Sequence, residues 1–100
     1  MKKNEIIKDR LEEWVESKGF LNSRFTIIEL CKIIGINRTY LSNYINNTYG
    51  LNFNLWINHL RIEEAKQLMG QTPKRSLSEI AERIGFTDLA HFSKQFKLQE

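Results

Sequence analysis

Few side chains in this 100-residue sequence have the types and spacing for acid–base, nucleophilic or metal chemistry. Glu12, Glu13 and Glu16 form the densest acidic group. Paired carboxylates act as general acid and base when their surroundings push their pKa values apart. Here the three are interleaved with Lys8, Arg10 and Lys18, with no nucleophile or pocket signature beside them, so they read as a solvated helix face. Cys31 is the single cysteine, which excludes a disulfide within the chain and a cysteine-based zinc site. His59 reads as structural or surface. His91 is open to either surface exposure or ligand contact. No catalytic constellation and no phosphate loop is found. An enzyme, a cofactor and a metal site are therefore not expected.

Recognition needs less: a polar face held in place by apolar anchors. Gly85 to Lys97, GFTDLAHFSKQFK, has that form, with Phe92 and Phe96 one helical turn apart. The elements around it must position it. The sequence has one proline and five glycines, and its apolar residues recur at helical spacing, which predicts an all-α chain. A first helix is expected over Asn4–Lys18, with Ile7, Leu11, Trp14 and Val15 on one side and Gly19 as its stop. Thr26 and Glu29 form a capping box for a second helix, which ends at Gly35. Asn37 caps a third, Arg38 to about Asn47, with Leu41, Tyr44 and Ile45 inward. Tyr49 to Asn52 reads as a loop. The fourth and longest runs from Phe53 to Met69, with Leu55, Trp56, Leu60, Glu63, Ala65 and Leu68 making it apolar on more than one side. A polar break containing Pro73 follows. A fifth helix starts near Leu77 or Ser78 and stops at Gly85, and Thr87 or Asp88 caps a sixth.

Two stretches fifty residues apart match: Glu29 to Ile36, ELCKIIGI, and Glu79 to Phe86, EIAERIGF. Each is a short helix ending in glycine, then an apolar residue, a polar cap and a second helix. This is the layout of a helix-turn-helix, here in two copies. Cys31 and Ala81 supply the small residue where two helices cross closely, and Cys31 reads as core for that reason. Gly35 and Gly85 suit a turn with positive φ. Ile36 and Phe86 plug the turn into the core. Leu41 and Ile45, or Phe92 and Phe96, anchor the second helix and leave its other side open. The second copy holds one extra residue between the glycine and the anchors. Two recognition helices held apart by one rigid helix match successive major grooves on one face of DNA, about 34 Å apart.

The net charge of +3 is weak support for a nucleic-acid partner, and its distribution says more. Residues 1–20 carry five basic and five acidic side chains, so the excess lies beyond them, in local basic spots. No apolar run is long enough to span a membrane, and no membrane contact is expected from this segment. No signal-peptide core follows the basic start at Met1 and Lys2. A reducing, cytoplasmic setting is the default for a chain with one cysteine.

At Ile80-Ala81, Gly85-Phe86 and Phe92-Ser93-Lys94-Gln95-Phe96-Lys97 the sequence resembles the C-terminal DNA-binding domain of AraC/XylS-type transcription regulators. Tyr40-Leu41-Ser42, Gly50 and Leu60 to Leu68, LRIEEAKQL, extend the resemblance, which covers about Phe25 to Lys97. It implies sequence-specific binding to double-stranded promoter DNA and regulation of transcription, usually through RNA polymerase. It also implies a sensor or dimerisation region elsewhere in the full-length regulator. Family members continue into a seventh helix. This sequence stops at Leu98-Gln99-Glu100, so a second unit trimmed at its end is expected. The reading divides the chain into 1–52, an N-terminal helix plus the first helix-turn-helix; 53–69, a linker helix; and 70–100, the second helix-turn-helix. Together they make one domain.

Carried over from the resemblance, the base-facing residues are Thr39, Tyr40, Ser42 and Asn43 in the first recognition helix. Those of the second are Leu89, Ala90, His91, Ser93 and Lys94, with Asp88 at its edge. Asn43 matches adenine and Thr39 a thymine methyl, while Lys94 matches guanine or a phosphate. Leu89 either faces DNA or packs with the phenylalanines. Phosphate contacts are expected from Arg38, Lys97, Ser42 and the helix N-termini, with Arg61, Lys74 and Arg75 as further candidates. The alternative reading is a helical protein-interaction module, which an exposed apolar stripe on the first helix would favour.

Overall fold

The computed structural model describes residues 3–71, 74–86 and 88–98. Among them are six α-helices and one 3-10 turn, and no strand. The helices are α1 Lys3–Glu16, α2 Ile27–Ile34, α3 Arg38–Tyr49, α4 Phe53–Met69, α5 Leu77–Arg83 and α6 Leu89–Leu98. The 3-10 turn, Gly19–Leu21, follows α1. The all-α expectation holds, as do the limits of α4. Pro73 and Thr87 lie outside the described residues.

Two boundaries differ from the expectation. α1 ends at Glu16, and Lys18, not Gly19, takes the left-handed conformation at φ 61° that stops it. Gly19 is needed for another reason: a Cβ there would overlap the Trp14 indole. α3 runs on to Tyr49 before Gly50 ends it, because Tyr49 stacks on Trp56 at 5.0 Å and so has a partner that holds the last turn helical.

The core forms two clusters. The first gathers Ile7, Leu11, Trp14, Phe20, Leu30, Cys31, Ile34, Leu41, Ile45, Trp56 and Ile57. The second gathers Ile62, Ala65, Ile80, Ala81, Ile84, Phe86 and Phe92. α4 serves both. At about 100° per residue, Ala65 lies half a turn around the helix from Trp56, so the helix buries one side in each cluster. Leu55 and Glu63, expected inward, are exposed instead, because they fall between those two buried sides. Trp14 packs against Phe25 and Trp56 at 5.0 and 5.9 Å between ring centres, an aromatic nucleus for the first cluster.

Candidate nucleic-acid interface

The first helix-turn-helix is α2 and α3. Thr26 and Glu29 close the capping box: Thr26 Oγ1 accepts from Glu29 N, and Glu29 Oε1 accepts from Thr26 N. α2 ends in Gly35 at φ 86°, where the Ile36 N–H donates to the Cys31 carbonyl. The second unit, α5 and α6, repeats this. Gly85 is at φ 92°, and the Phe86 N–H donates to the Ala81 carbonyl at 3.0 Å. Both are the six-to-one bond of a glycine-terminated helix.

The caps of the two recognition helices match as well. Asn37 Oδ1 accepts from Tyr40 N at 2.8 Å, and Asp88 Oδ1 accepts from His91 N at 2.6 Å. Each cap stands four residues before its first buried anchor, Leu41 or Phe92. The extra residue of the second copy therefore falls in the turn, ahead of the cap. Beyond it α3 and α6 run in register, offset by fifty-one.

That register defines the outward faces. Thr39, Ser42, Asn43 and Asn46 fill a sector about 100° wide, opposite Leu41 and Ile45. Ala90, Ser93, Lys94 and Lys97 fill the same sector of α6, opposite Phe92 and Phe96. Thr39, Asn43, Asn46, Ala90, Lys94 and Lys97 are exposed, while Ser42 and Ser93 are half-buried. Asn46 is a position the sequence reading missed. It is the counterpart of Lys97, and its side chain donates to the Ser42 carbonyl at 3.2 Å. The two faces differ in chemistry. That of α3 is neutral amide and hydroxyl, and that of α6 carries two ammonium groups. Neither helix contains an acidic residue, and Arg38 opens α3 in an exposed position.

Several candidates are placed elsewhere. Tyr40 is turned toward α1: its hydroxyl bonds Asn4 Oδ1 at 2.8 Å, and Lys3 lies 4.2 Å over its ring. Its counterpart His91 is exposed and stands edge-on to Phe86 at 5.0 Å. Asp88 is engaged as the cap of α6. Leu89 is 40% exposed, at the rim of a groove it shares with Leu21, Ser23 and Phe86, so it is not a core residue. Lys74 is exposed. Arg75 is half-buried, 3.8 Å from Glu79 and 3.4 Å from Gln71.

Arg61, a phosphate candidate by sequence, is buried. It is 9% exposed, and burial lowers its pKa from the ordinary guanidinium value. Its Nε donates to the Phe20 carbonyl at 2.7 Å and Nη2 to the Asn22 carbonyl at 3.0 Å, so the guanidinium is engaged inside the protein. Cys31 is buried at the helix crossing, as expected. His59 is exposed on α4, in a groove with Leu51, Leu55, Gln95 and Leu98. Among the described residues no group of three or more His, Cys, Asp or Glu side chains is placed to hold a metal ion.

Two helix-turn-helix units sharing one continuous helix define a tandem helix-turn-helix domain. Residues 30–100 match the family model described as a helix-turn-helix domain. The raffinose operon transcriptional regulatory protein RafR of Pediococcus pentosaceus is 33% identical over 72 residues, covering 72% of this chain and 26% of that protein. The C-terminal domain of the response regulator yesN of Fusobacterium nucleatum superposes with a TM-score of 0.76 at 29% identity, covering 92% of this chain and 95% of that one. The DNA-binding domain of AdpA, solved in complex with a target DNA, shares the fold with a TM-score of 0.77 at 20% identity, covering 93% and 80%. The chain belongs to the AraC-type helix-turn-helix family of DNA-binding transcription regulators. It spans under a third of the length of the curated relatives it matches.

Proposed function

We propose that α3 and α6 enter successive major grooves on one face of a double-stranded DNA site. In that reading Thr39, Ser42, Asn43 and Asn46 meet base edges in one groove, and Ala90, Ser93, Lys94 and Lys97 meet the other. The observation that carries this is the repeated cap-and-anchor geometry, which turns an equivalent polar sector outward from both helices. The long axis of the molecule, 44 Å, exceeds the groove repeat of about 34 Å, so two such sectors fit along one face. The amides of α3 suit bidentate readout of adenine, while Lys94 and Lys97 suit guanine or phosphate. Arg38 suits a phosphate at the start of α3. The first helix supplies most of the specificity and the second most of the charge-dependent affinity.

The site lies in promoter DNA, and the outcome is regulation of transcription through contact with RNA polymerase. The sensor or dimerisation region of a longer regulator directs that activity, on the nucleoid in the cytoplasm. No helix among the described residues is long and apolar enough to cross a membrane. An open apolar stripe on α1 would favour a protein-interaction module, but Ile7, Leu11 and Trp14 on that stripe are buried.

Selection from a random duplex pool at moderate salt tests the reading. A preferred sequence with two blocks one helical turn apart is expected. Recovery of no preferred sequence overturns it.

A further inference from the structure

Arg61 is the middle residue of α4, between Trp56 and Ile57 of the first cluster and Ile62 and Ala65 of the second. Its guanidinium holds two carbonyls of the segment after α1, Phe20 and Asn22, at 2.7 and 3.0 Å. The same group lies 5.8 Å from the centre of the Phe86 ring, in the turn of the second unit. Between those two carbonyls is Leu21, whose side chain packs on both clusters. Gly85 is seated on the Leu21 carbonyl so closely that a Cβ there would stand 2.6 Å from the oxygen and 3.1 Å from Arg61 Nε. Nearby, Lys18 reaches across to Glu64 of α4 at 2.8 Å. Three segments thus meet at one point: the chain after α1, the middle of α4 and the second helix-turn-helix turn.

A buried cation with carbonyl partners is costly to desolvate, and a surface lysine would serve equally well if charge were the need. The planar fork is what this place uses. It bonds two carbonyls at fixed angles, which the single point charge of lysine does not do. The two units otherwise meet along α4, and twisting them about that helix would drag Gly85 across Leu21.

We propose that Arg61, with Gly85 seated on Leu21, is a positioning element that sets the rotation of α6 relative to α3. It thereby selects the spacing of the two DNA blocks without touching DNA. This rests on the two-groove reading for its consequence, but the joint itself is testable without DNA.

The DNA-free arm places spin labels at Asn46→Cys and Lys97→Cys, the equivalent outward positions of the two helices, in a Cys31→Ala background. A single narrow distance distribution is expected. Arg61→Met should broaden it, and Gly85→Ala, which displaces the Leu21 carbonyl with the arginine intact, should shift or broaden it. Arg61→Lys keeps the cation and should still broaden it. If every variant that folds, as judged by circular dichroism, keeps the parent distribution, the joint is overturned.

The DNA arm uses unlabelled protein and the duplex recovered by selection, with one base pair inserted between its blocks. The parent should lose about tenfold in affinity on insertion, similar to a mismatched base pair. Arg61→Lys and Arg61→Met should bind the original duplex about tenfold more weakly and discriminate the inserted one by less than about twofold. A full insertion penalty in those variants overturns the spacing role. Failure of the parent to select any sequence bears on the DNA reading, while the label arm still decides the joint.

Discussion

Arg10 reaches from α1 to the end of α2 and donates to the Ile34 carbonyl, beside Gly35. A Cβ on Gly35 would stand 3.1 Å from Arg10 Nη1, the same separation that a Cβ on Gly85 would have from Arg61 Nε. Each turn glycine therefore has an arginine against it, one from α1 and one from α4. α1 packs on α2 of the first unit, and α4 packs on α5 and α6 of the second. α4 is linker and bundle helix at once. Arg10→Met should cost about 1 kcal/mol, the net worth of a typical hydrogen bond. Thermal unfolding followed by the fluorescence of Trp14 and Trp56, both in the first cluster, checks it.

Asp88→Asn separates capping from DNA contact. Asparagine caps a helix about as well as aspartate. The variant should melt within a few degrees of the parent and bind the selected duplex a few-fold more tightly, since an anion has left the edge of the interface. The gain should shrink as salt screens it. Fluorescence anisotropy at two salt concentrations reads both effects.

Lys94 and Phe92 share a helix and should fail differently. Lys94→Ala removes an exposed ammonium group. It should leave the melting temperature in place, weaken binding and lower the slope of log K against log salt by about 0.9 if the group neutralises one phosphate. Phe92 is 1% exposed and packs between Phe86 and Phe96. Phe92→Ala should cost about 3–5 kcal/mol and unfold the second unit. Circular dichroism and a salt titration distinguish the two.

Tyr49, stacked on Trp56, has its pKa raised above the ordinary 10.0, first by burial and then by the charges of Tyr44 and Glu12. The folded chain therefore favours the neutral phenol more than the unfolded chain does. Its contribution is complete below about pH 10 and is lost as pH rises through the folded value. The melting temperature should fall above pH 10, and Tyr49→Phe should make that fall shallower. Differential scanning calorimetry between pH 8 and 11 checks it.

Much of this was legible in the sequence because it rests on local rules. Thr26 with Glu29, Gly35, Asn37 and the limits of α4 all follow from caps, turns and periodicity. The outward sectors follow from the anchors in the same way, and Asn46 joins that of α3 one residue beyond its last anchor, Ile45. What escaped was long-range. Lys18 rather than Gly19 ends α1 because Gly19 is committed to the Trp14 indole. Arg61 reads as a surface cation until the fold brings Phe20 and Asn22, some forty residues earlier, against it. The bond from the Tyr40 hydroxyl to Asn4, thirty-six residues earlier, is likewise visible only in the fold.

The unlike faces of α3 and α6 have a consequence for the DNA itself. A dimer of identical readers sees the same thing from either end of its site. Here an amide face and an ammonium face are tied in fixed order along one chain and cannot trade places. If these two faces read the DNA as proposed, the site has a head and a tail. The bound protein acquires a direction along the duplex, and turning the same site around would point every other surface of the molecule the opposite way.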